Sequence, residues 1–502
     1  MVGYSETMKP QLPLPFDNSF ARLGERFYTR QLPVPVSNPG LIRVNHPLAN
    51  HLGFDPHWLE SEQGVEFIAG NFIAEGADPL ASVYAGHQFG GWNPQLGDGR
   101  AILLGEVIAK DGMRYDIQLK GSGRTPYSRG GDGRAPLGPV LREYIVSEAM
   151  SVLGVPTSRA LGAVTSGEWV MRDGRLPGAV LARVAQSHIR IGTFQYFASR
   201  KDYASLKTLI DHVIQRHYPE AAQAANAVRA MLDGVIARQA SLIARWQSLG
   251  FIHGVMNTDN MLLSGETIDY GPCAFMDEFE PGKVFSSIDH GGRYAYGNQP
   301  QIGHWNLSVL TQSLLPFLDE DQDRALASGQ AAINTFPDLY QAAFKNDMLK
   351  KLGLTQETAG DVELIQALLK LMHENQSDFS LTFRYLSDLV DQKVASGGGV
   401  SSIFSLSETF NPWLERWQQR LSLEPMESSK RQRAMYAVNP VYIPRNHLVE
   451  AAISAAENHQ DFEPFNQLVD ILANPFEFSR DKGRFASAPR PEQIVRQTFC
   501  GT

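Results

Sequence analysis

The sequence has little cysteine, no long hydrophobic run and no excess of positive charge. Its 502 residues include two cysteines, Cys273 and Cys500, which are too few for a disulfide-rich scaffold and match no cysteine-based metal knuckle. No apolar run approaches the roughly 18 residues that a membrane-spanning helix needs, so no membrane partner is expected. The N-terminal segment lacks a basic stretch leading into an apolar one. It therefore predicts no secretory signal, and the default expectation is a cytoplasmic protein.

The charge balance of the chain is acidic. Lysine and arginine number 45 against 54 aspartate and glutamate residues, for a net charge of -9. A protein that coats nucleic acid needs a positive surface to replace phosphate counterions, so no nucleic-acid partner is expected. Basic residues nevertheless cluster between Arg114 and Arg134. A locally basic stretch in an acidic chain favours a small polyphosphate ligand.

The order of predicted elements indicates an α+β fold. Residues 1–80 mix proline, asparagine and glycine with short apolar runs, and they predict an N-terminal wrap rather than an independent domain. Apolar runs bounded by glycine and Asp-Gly turns predict strands over residues 101–107, 115–119 and 179–184. Helical spacing of apolar residues predicts helices over residues 141–153, 224–249, most of 305–395 and 446–472. The glycines at 397–399 predict a flexible loop.

The strongest chemical pattern follows the longest predicted helix. His253 is followed seven positions later by Asn260, and then by Asp269-Tyr270-Gly271. This spacing is the magnesium-holding layout of a kinase catalytic loop, in which an Asn and an Asp supply oxygen ligands. The position two after the histidine, where a kinase keeps its catalytic aspartate, is Val255. The pattern thus predicts a site that holds a metal nucleotide but lacks the usual base, with Asp259 as the nearby carboxylate.

A lysine at the end of a predicted strand adds a second part of a nucleotide site. Lys120 precedes Gly121-Ser122-Gly123. In the kinase plan such a lysine grips phosphates, and a glutamate on the next helix holds it in place. Glu143 and Glu148 both lie on that helix, about 140° apart on a 3.6-residue wheel, so only one of them can face Lys120. The pattern does not choose between them, and a solvated lysine with two solvated glutamates is the alternative.

Two further groups have the chemistry of phosphate ligands. Glycines in the turn Gly97-Asp98-Gly99-Arg100 would expose backbone N–H groups beside an arginine, although a simple Asp-Gly hairpin is the alternative. Arg183 and Arg190 are close enough in sequence to neutralise a polyphosphate tail together, or to form structural salt bridges instead. His188 and His253 lie in no ligand cluster, so we expect them to support the backbone rather than to bind zinc.

Several longer motifs resemble the selenoprotein O family, and together they extend over most of the chain. They are Tyr84-Ala85-Gly86-His87-Gln88-Phe89-Gly90, Gln95-Leu96-Gly97-Asp98-Gly99-Arg100, Leu119-Lys120-Gly121, Thr125-Pro126-Tyr127-Ser128-Arg129, Gly131-Asp132-Gly133-Arg134, Arg183-Val184-Ala185, Ser187-His188-Ile189-Arg190, the loop from His253 to Asn260, and Asp269-Tyr270-Gly271. With the element order, the resemblance implies a bilobal protein-kinase-like α+β fold with an N-terminal wrap and a helical C-terminal extension. The implied parts are an extension (1–80), an N-lobe with nucleotide-binding loops (81–195), a helical C-lobe with catalytic and metal-binding loops (196–395) and a helical extension (396–502).

The same resemblance implies an activity and a set of site residues. Members of the family bind ATP in a flipped orientation and transfer AMP to hydroxyl side chains of proteins, so ATP and acceptor proteins are the implied partners. Bacterial members are also credited with UMP transfer favoured by manganese, which leaves UTP open as a donor and Mg²⁺ or Mn²⁺ as the cofactor. The implied nucleotide-site residues are Gly97, Gly99, Arg100, Lys120, Asp132, Gly133, Glu143 as the partner of Lys120, Arg183, Arg190 and Asp269. Asn260 and Asp269 are the implied metal ligands, and Asp259 is the implied proton acceptor.

Two features of the sequence concern the start of one helix and the pairing of the two cysteines. Residues 135–139 carry two prolines and a glycine ahead of Glu143, so the start of that helix is open. In the family a C-terminal thiol can pair with one near the activation segment, so the resemblance implies a Cys273–Cys500 disulfide that gates the site. A catalytically inactive nucleotide-binding pseudokinase scaffold and a conventional kinase stay as alternative functions, and Val255 argues against the second.

Overall fold

A computed structural model describes residues 16–390 and 399–499 of the chain. Within those residues the fold mixes α and β structure, with one nine-stranded antiparallel sheet, one two-stranded sheet and many helices. The mixed α and β composition predicted from the sequence is therefore confirmed. The large sheet belongs to the N-terminal part of the chain, and the C-terminal part is mainly helical.

The large sheet is built from the first nine strands. They are β1 (Tyr28–Arg30), β2 (Gly40–Val44), β3 (Leu80–Gln88), β4 (Gly91–Gly97), β5 (Ala101–Ile108), β6 (Arg114–Lys120), β7 (Ala135–Pro136), β8 (Arg159–Met171) and β9 (Arg175–Ala185). The strand order is β1-β3-β5-β6-β9-β8-β2, with β4 paired to β3 and β7 paired to β9. The small sheet pairs β10 (Phe251–Ile252) with β11 (Ala274–Phe275). Strands β5, β6 and β9 confirm the three strands predicted from apolar runs.

The N-terminal segment contributes strands to the sheet as well as covering it. Strand β1 pairs with β3, and β2 pairs with β8 at the opposite edge. One face of the sheet is covered by three short helices, α1 (His46–Leu52), α2 (Pro56–Glu60) and α3 (Glu62–Ala69). Leu52 and Phe67 of these helices share a buried cluster with Ile117 and Leu119 of β6. Alternation along β6 leaves Lys120 on the other face.

Helix α4 (Leu137–Val152) packs on that other face. It begins at Leu137, earlier than the predicted residue 141, directly after the short strand β7. Pro136 is extended and caps the helix, and Pro139 lies in the first turn, where the N–H that proline lacks has no intrahelical partner to lose. The prolines therefore fix the start of the helix rather than disrupt it. Nearly every residue from Leu137 to Met150 is buried, so the helix is held on all sides.

The helices that follow form most of the remaining structure. They are α5 (Ile191–Ser199), α6 (Tyr203–His217), α7 (Ala227–Leu249), α8 (Gln299–Leu318), α9 (Gln322–Ile333), α10 (Phe336–Lys351), α11 (Asp361–Glu374), α12 (Phe379–Leu389), α13 (Asn411–Ser422), α14 (Ser428–Tyr436), α15 (Asn446–His459), α16 (Glu463–Leu472) and α17 (Gly483–Ala486). Helix α7 ends at Gly250, which adopts the left-handed conformation that favours glycine. The predicted helix over 224–249 is thus confirmed from residue 227 onward.

Helices α15 and α16 pack against the outer side of α4. Phe465 of α16 packs against Tyr144 of α4 with ring centroids 5.4 Å apart, and Val449 of α15 belongs to the same buried cluster. Arg142 of α4 donates to the side-chain oxygen of Asn446 at 2.8 Å. The position of α4, which carries Glu143, therefore depends on residues far along the chain.

Two sequence-based predictions fall mainly on residues that the structure does not describe. The glycine loop at 397–399 and the domain boundary at residue 395 fall mainly on residues 391–398, which lie outside the described residues. Among the helices of residues 16–390 and 399–499, none combines the length and hydrophobicity that a bilayer crossing requires.

Candidate active site

Lys120, Glu143 and Arg183 form a buried group between the sheet and α4. The register of β6 and β9 sets Gln118 opposite Arg183, so Arg183 and Lys120 project from the same face of the sheet. Lys120 Nζ lies 2.5 Å from Glu143 Oε2, and Arg183 Nε lies 2.6 Å from Glu143 Oε1. Burial opposes ionisation of Glu143, but the charges of Arg183 and Lys120 outweigh it and lower its pKa. One buried carboxylate thus holds two cations, with each oxygen facing one of them.

The structure chooses between the two glutamates of α4. Glu148 faces the start of β8, where its carboxylate contacts Arg159 at 2.6 Å and accepts a hydrogen bond from Asn45 at 2.7 Å. Its angular separation from Glu143 on the helix turns it away from Lys120. The glutamate beside Lys120 is therefore Glu143.

Asp269 lies at the centre of three cations. Arg183 Nη2 contacts its Oδ1 at 2.8 Å, Arg190 Nη1 contacts its Oδ2 at 2.9 Å, and Lys120 Nζ lies 3.8 Å from Oδ1. Burial works against ionisation, but these charges prevail and hold the pKa of Asp269 well below its ordinary value. Its backbone has φ +64°, which is uncommon for a residue with a side chain. Such a conformation persists only where surrounding contacts fix it, as these do.

Asn260 lies in a short turn, Thr258–Asn260, that follows β10. Its amide nitrogen donates to the Val255 carbonyl at 2.9 Å, which turns its oxygen to within 3.5 Å of Arg190 Nη1. His253 is completely buried, and its Nε2 lies 2.9 Å from the Ile268 carbonyl. Burial lowers the pKa of His253 to about 4, so the ring is neutral at physiological pH. The histidine joins the loop to the residue before Asp269, which is a supporting role.

Asn260 and Asp269 have the chemistry of a divalent-cation site. Both supply oxygen, the ligand type that Mg²⁺ and Mn²⁺ accept, and both oxygens approach the same Arg190 nitrogen. In residues 16–390 and 399–499 no group of three or more His, Cys, Asp or Glu side chains is suited to a metal ion. A cation held by this Asn and Asp would take its other ligands from water and phosphate, as Mg²⁺ commonly does. The residues present therefore fit such an ion.

Asp259 is a buried carboxylate whose two oxygens differ in their hydrogen bonding within the described chain. Its Oδ2 accepts a hydrogen bond from Gln88 Nε2 at 2.9 Å, and its Oδ1 is buried with no hydrogen-bond partner among the described residues. Burial raises the pKa of Asp259 to about 6. A carboxyl group with a pKa closer to neutrality accepts a proton more effectively than an ordinary aspartate. Arg190 Nη1 also donates to the Asp259 backbone carbonyl at 2.5 Å.

Strand β3 runs directly along the loop that contains Asp259. The His87 N–H donates to Thr258 Oγ1 at 2.8 Å, and the Phe89 N–H donates to Asn257 Oδ1 at 3.0 Å. Gly86 faces the carboxylate, because a Cβ at this position would lie 2.5 Å from Asp259 Oδ1. Glycine at 86 is therefore required for the close approach of β3 to the loop.

The turn Gly97-Asp98-Gly99-Arg100 connects β4 to β5. In the described sheet β4 pairs with β3 and β5 pairs with β3 and β6, so the turn does not close a hairpin between the strands it joins. Asp98 is buried, accepts from the Ser82 N–H at 3.0 Å and has Oδ1 3.9 Å from Arg190 Nη2. The Arg100 carbonyl accepts from the Gly121 N–H at 2.7 Å. The turn thus lies beside both Arg190 and the segment that follows Lys120.

Asp132 and Gly133 lie in the loop between β6 and β7. The Asp132 carboxylate contacts both terminal nitrogens of Arg172, each at 3.0 Å, and remains partly exposed. Gly133 has φ +69°, and its carbonyl accepts from the Gly123 N–H at 3.0 Å. No hydrogen bond or ion pair between these two residues and the Lys120 group is found in the described chain. The predicted contact of Asp132 and Gly133 with a nucleotide therefore stays a prediction.

The thiol of Cys273 lies near the described end of the chain. Cys273 is buried, and burial raises its pKa to about 12, so its thiol is protonated. Cys500 lies outside the described residues. Thr498 Oγ1 donates to the Pro272 carbonyl at 2.7 Å, so the described end of the chain lies next to Cys273. The predicted disulfide stays a prediction.

Four residues of the site were not among those predicted. Gly86 and Gln88 contact Asp259, the Tyr84 ring lies 4.8 Å from the Arg190 guanidinium carbon, and Asp98 Oδ1 lies 3.9 Å from Arg190 Nη2. Three of them belong to the motif Tyr84–Gly90 that marked the family resemblance. That motif was the available signal, but nothing in the sequence shows which loop a strand lies against.

Comparison with known proteins identifies the family. The profile described as Protein adenylyltransferase SelO matches residues 10–473. A protein from Rhodopseudomonas palustris (strain BisB5), named Protein nucleotidyltransferase YdiU, is 57% identical over 488 residues, covering 97% of this chain and 99% of its own. Proteins of the same name from Methylorubrum populi and Rhizobium etli are 56% and 54% identical, over 97% and 100% of this chain and 99% and 100% of their own lengths. Coverage of this extent leaves no large part of the chain without a counterpart, and the chain belongs to the SelO family of protein adenylyltransferases, which are nucleotidyltransferase enzymes acting on a nucleotide substrate.

Proposed function

We propose that this chain transfers AMP from ATP to serine, threonine or tyrosine hydroxyls of proteins, with ATP bound in the flipped orientation. In this pose Arg183 and Arg190 bind the β- and γ-phosphates, and the α-phosphate faces Asp259. The names of the relatives and of the family support protein as the acceptor and adenylate as the group transferred.

The position of Arg190 is the observation that carries the proposal. One of its nitrogens, Nη1, donates both to the Asp259 backbone carbonyl and to the Asp269 carboxylate, at 2.5 and 2.9 Å. A cation suited to phosphate and a carboxylate suited to accept a proton are thus adjacent, while Val255 supplies no carboxylate. This arrangement favours chemistry at the phosphate next to Asp259 rather than at the position that a conventional kinase uses.

The reaction follows from these placements. The acceptor hydroxyl oxygen attacks the α-phosphorus and forms an O–P bond. The bond from the α-phosphorus to the oxygen bridging to the β-phosphate breaks, and pyrophosphate leaves with that electron pair. The hydroxyl proton passes to Asp259 Oδ1, the buried oxygen that no hydrogen-bond donor of the described residues contacts. Arg183, Arg190 and Lys120 stabilise the negative charge that grows on pyrophosphate, because buried guanidinium and ammonium groups act strongly on charge in a low dielectric.

Asn260 and Asp269 would hold Mg²⁺ or Mn²⁺. When bound, such an ion neutralises phosphate charge and orients the phosphate groups. The remaining nucleotide contacts that we propose are made by Gly97, Gly99 and Arg100 of the β4–β5 turn, with Asp132 and Gly133 closing from the adjacent loop. Glu143 positions Lys120 for its phosphate.

We also infer a kinase-like architecture with two lobes from the order of these parts. The parts of the site occur along the chain in the order that a kinase uses. They are a lysine at a strand end, a glutamate on the next helix, a loop with His and Asn, and an Asp-Tyr-Gly segment. The division into residues 1–80, 81–195, 196–395 and 396–502 is part of this proposal, as is a Cys273–Cys500 disulfide. Peptide mapping under non-reducing and reducing conditions tests the disulfide, since only the oxidised protein would yield a cross-linked pair that reductant separates.

Intact-mass analysis of acceptor proteins tests the transfer. After incubation with ATP and Mg²⁺, the proposal predicts a mass increase of one adenylate per site, and fragmentation would locate it on a hydroxyl residue. A parallel incubation with UTP and Mn²⁺ determines whether uridylate is also transferred. A mass increase equal to phosphate would contradict the proposal and restore a conventional kinase. ATP binding with no modification of any protein would favour the inactive scaffold.

A further inference from the structure

The β3–β4 hairpin brings an aromatic and cationic surface next to the loop that contains Asp259. His87 pairs with Trp92 across the hairpin, and successive side chains of β3 point to opposite faces, so His87 lies on the face away from Gln88. The His87 ring lies 4.9 Å from the Trp92 ring and 5.2 Å from the Trp305 ring of α8. Arg293 lies above Trp305. We call His87, Trp92, Arg293 and Trp305 the hairpin patch.

The charge of the hairpin patch comes from Arg293. Burial, followed by the nearby Arg293 charge, lowers the pKa of His87, so its ring is neutral at physiological pH. His87 Nδ1 lies 2.8 Å from Gln195 Nε2, which fixes the ring. Trp92 is 42% exposed, so the patch is open to a partner at the hairpin side.

The guanidinium of Arg293 lies against aromatic rings, and no carboxylate of the described chain neutralises it. Its guanidinium carbon lies 4.9 Å from the Trp305 ring centroid and 5.8 Å from that of Tyr294. Asp289 is close in sequence, but its two oxygens accept the backbone N–H groups of Arg293 and Tyr294, at 2.9 and 2.8 Å. Throughout residues 16–390 and 399–499 no acidic side chain lies at ion-pairing distance from Arg293, and its buried Nε has no hydrogen-bond acceptor. A partly desolvated guanidinium without an anion favours a ligand that supplies one.

The hairpin patch is joined to the candidate base through Tyr294. The Tyr294 hydroxyl donates to Asn257 Oδ1 at 2.6 Å and accepts from the Phe89 N–H at 3.1 Å. Asn257 precedes Asp259 by two residues, and Gln88, next to His87, donates to the Asp259 carboxylate. A polypeptide whose hydroxyl reaches Asp259 would therefore have its flanking residues close to Arg293.

We propose that Arg293 binds an aspartate or glutamate side chain that flanks the acceptor hydroxyl, with Trp92 covering the same segment, so that the enzyme selects acidic acceptor sites. This inference rests on the proposed function, because it assigns the acceptor side of the same site. Lys120, Arg183 and Arg190 serve the phosphates, whereas Arg293 lies beside Gly90 in the β3–β4 turn and serves the acceptor. Electrostatic complementarity of this kind sets specificity more than total affinity.

Matched peptides test the proposal. Each peptide carries one serine, and a pair differs only in having Glu or Lys at one flanking position. The rate of label transfer from α-labelled ATP is measured for the wild type, Arg293→Glu, Arg293→Gln and the control Arg416→Glu, which changes an exposed arginine of α13. The wild type should prefer Glu over Lys about tenfold at one or more positions. Arg293→Glu should reverse the preference there, Arg293→Gln should abolish it, and Arg416→Glu should keep it.

Several outcomes would overturn the inference. One is that the wild type shows no preference between the Glu and Lys peptides. Another is that a folded Arg293→Gln protein keeps the wild-type preference. A third is that the Arg293 variants have a raised KM for ATP while their acceptor preference is intact. Thermal unfolding of each variant verifies that it folds. If no peptide receives label even from the wild type, the proposed transfer fails instead. Fluorescence anisotropy of the same peptides then still decides the matter, because a Glu preference in binding that Arg293→Glu reverses would support the acidic subsite without any transfer.

Discussion

Gly86 and Asp259 lie so close together that no side chain fits between them. A Cβ at residue 86 would lie 2.5 Å from Asp259 Oδ1 and 3.0 Å from its Cβ and Cγ. The contact joins the large sheet, through β3, to the loop that carries the candidate base. Gln88, two residues further along β3, holds the other oxygen of the same carboxylate. Strand β3 therefore restricts the space around the Asp259 carboxylate and fixes its orientation.

Gly86→Ala should impair transfer without abolishing nucleotide binding. The added methyl group must displace either β3 or the Asp259 carboxylate, and a shift of about 1 Å at a reacting group costs up to about 100-fold in rate. We expect a fall of about 10- to 100-fold in kcat, with a smaller change in the affinity for ATP measured by calorimetry. Gly174→Ala is the matched control, since a Cβ at that position would have no described residue beyond its chain neighbours within 4 Å. Equal rates for Gly86→Ala and the control would show that the contact has no role in the reaction.

The two glutamates of α4 should differ sharply in their importance for ATP binding. Glu143→Gln removes one of the two carboxylates that Lys120 and Arg183 share, the other being Asp269. Breaking a buried ion pair on one side costs about 3–5 kcal/mol. We expect both a lower free energy of unfolding in urea and a higher KM for ATP. Glu148→Gln acts as the control on the same helix, because its partners are Arg159 and Asn45. If Glu148→Gln raised the KM for ATP as much as Glu143→Gln, Glu143 would not be the residue that positions Lys120.

The sequence predicts the order of the elements well, and it predicts the contacts between distant elements poorly. Local patterns located β6 and the end of α7 at Gly250, because alternation and a left-handed glycine are signals contained within a few residues. The proximity of Gly86 to Asp259 is not such a signal, since it depends on how a strand docks on a loop more than 170 positions away. The local pattern also left Glu143 and Glu148 open; the family resemblance implied Glu143, and the docking of α4 on the sheet shows its contact with Lys120. Helical spacing showed that only one could face Lys120, and packing determined which.

Lys351 should make stability depend on pH. Lys351 is 2% exposed, and its ammonium nitrogen lies 4.4 Å from the centroid of the Phe383 ring. Burial lowers its pKa to about 7, with Arg245 acting in the same direction and Asp347 against it. Between about pH 7 and the ordinary value of 10.5 the unfolded chain binds more protons than the folded one at this residue, so stability rises with pH across that window. Below about pH 7 both states are protonated here and the full penalty applies.

Lys351→Met removes this penalty and should stabilise the protein most at pH 7 and below. The difference between the variant and the wild type should shrink by up to about 1.4 kcal/mol for each pH unit above 7. Urea unfolding at a series of pH values measures the difference directly, and titration of all other groups cancels in the comparison. A difference that stays constant from pH 7 to pH 10 would contradict a lowered pKa at Lys351.

The most direct test of the central claim follows the phosphorus atoms of ATP. Wild-type protein and an acceptor protein are incubated with ATP labelled on the α-phosphate or, separately, on the γ-phosphate, and label bound to protein is counted after denaturing gel separation. We predict protein-bound label from the α position alone, with γ label recovered in pyrophosphate. Asp259→Asn should lower the α signal by about 100- to 10,000-fold, because the proton acceptor is removed while Arg190 keeps its backbone contact. Protein-bound label from the γ position would contradict adenylate transfer and the flipped orientation of ATP.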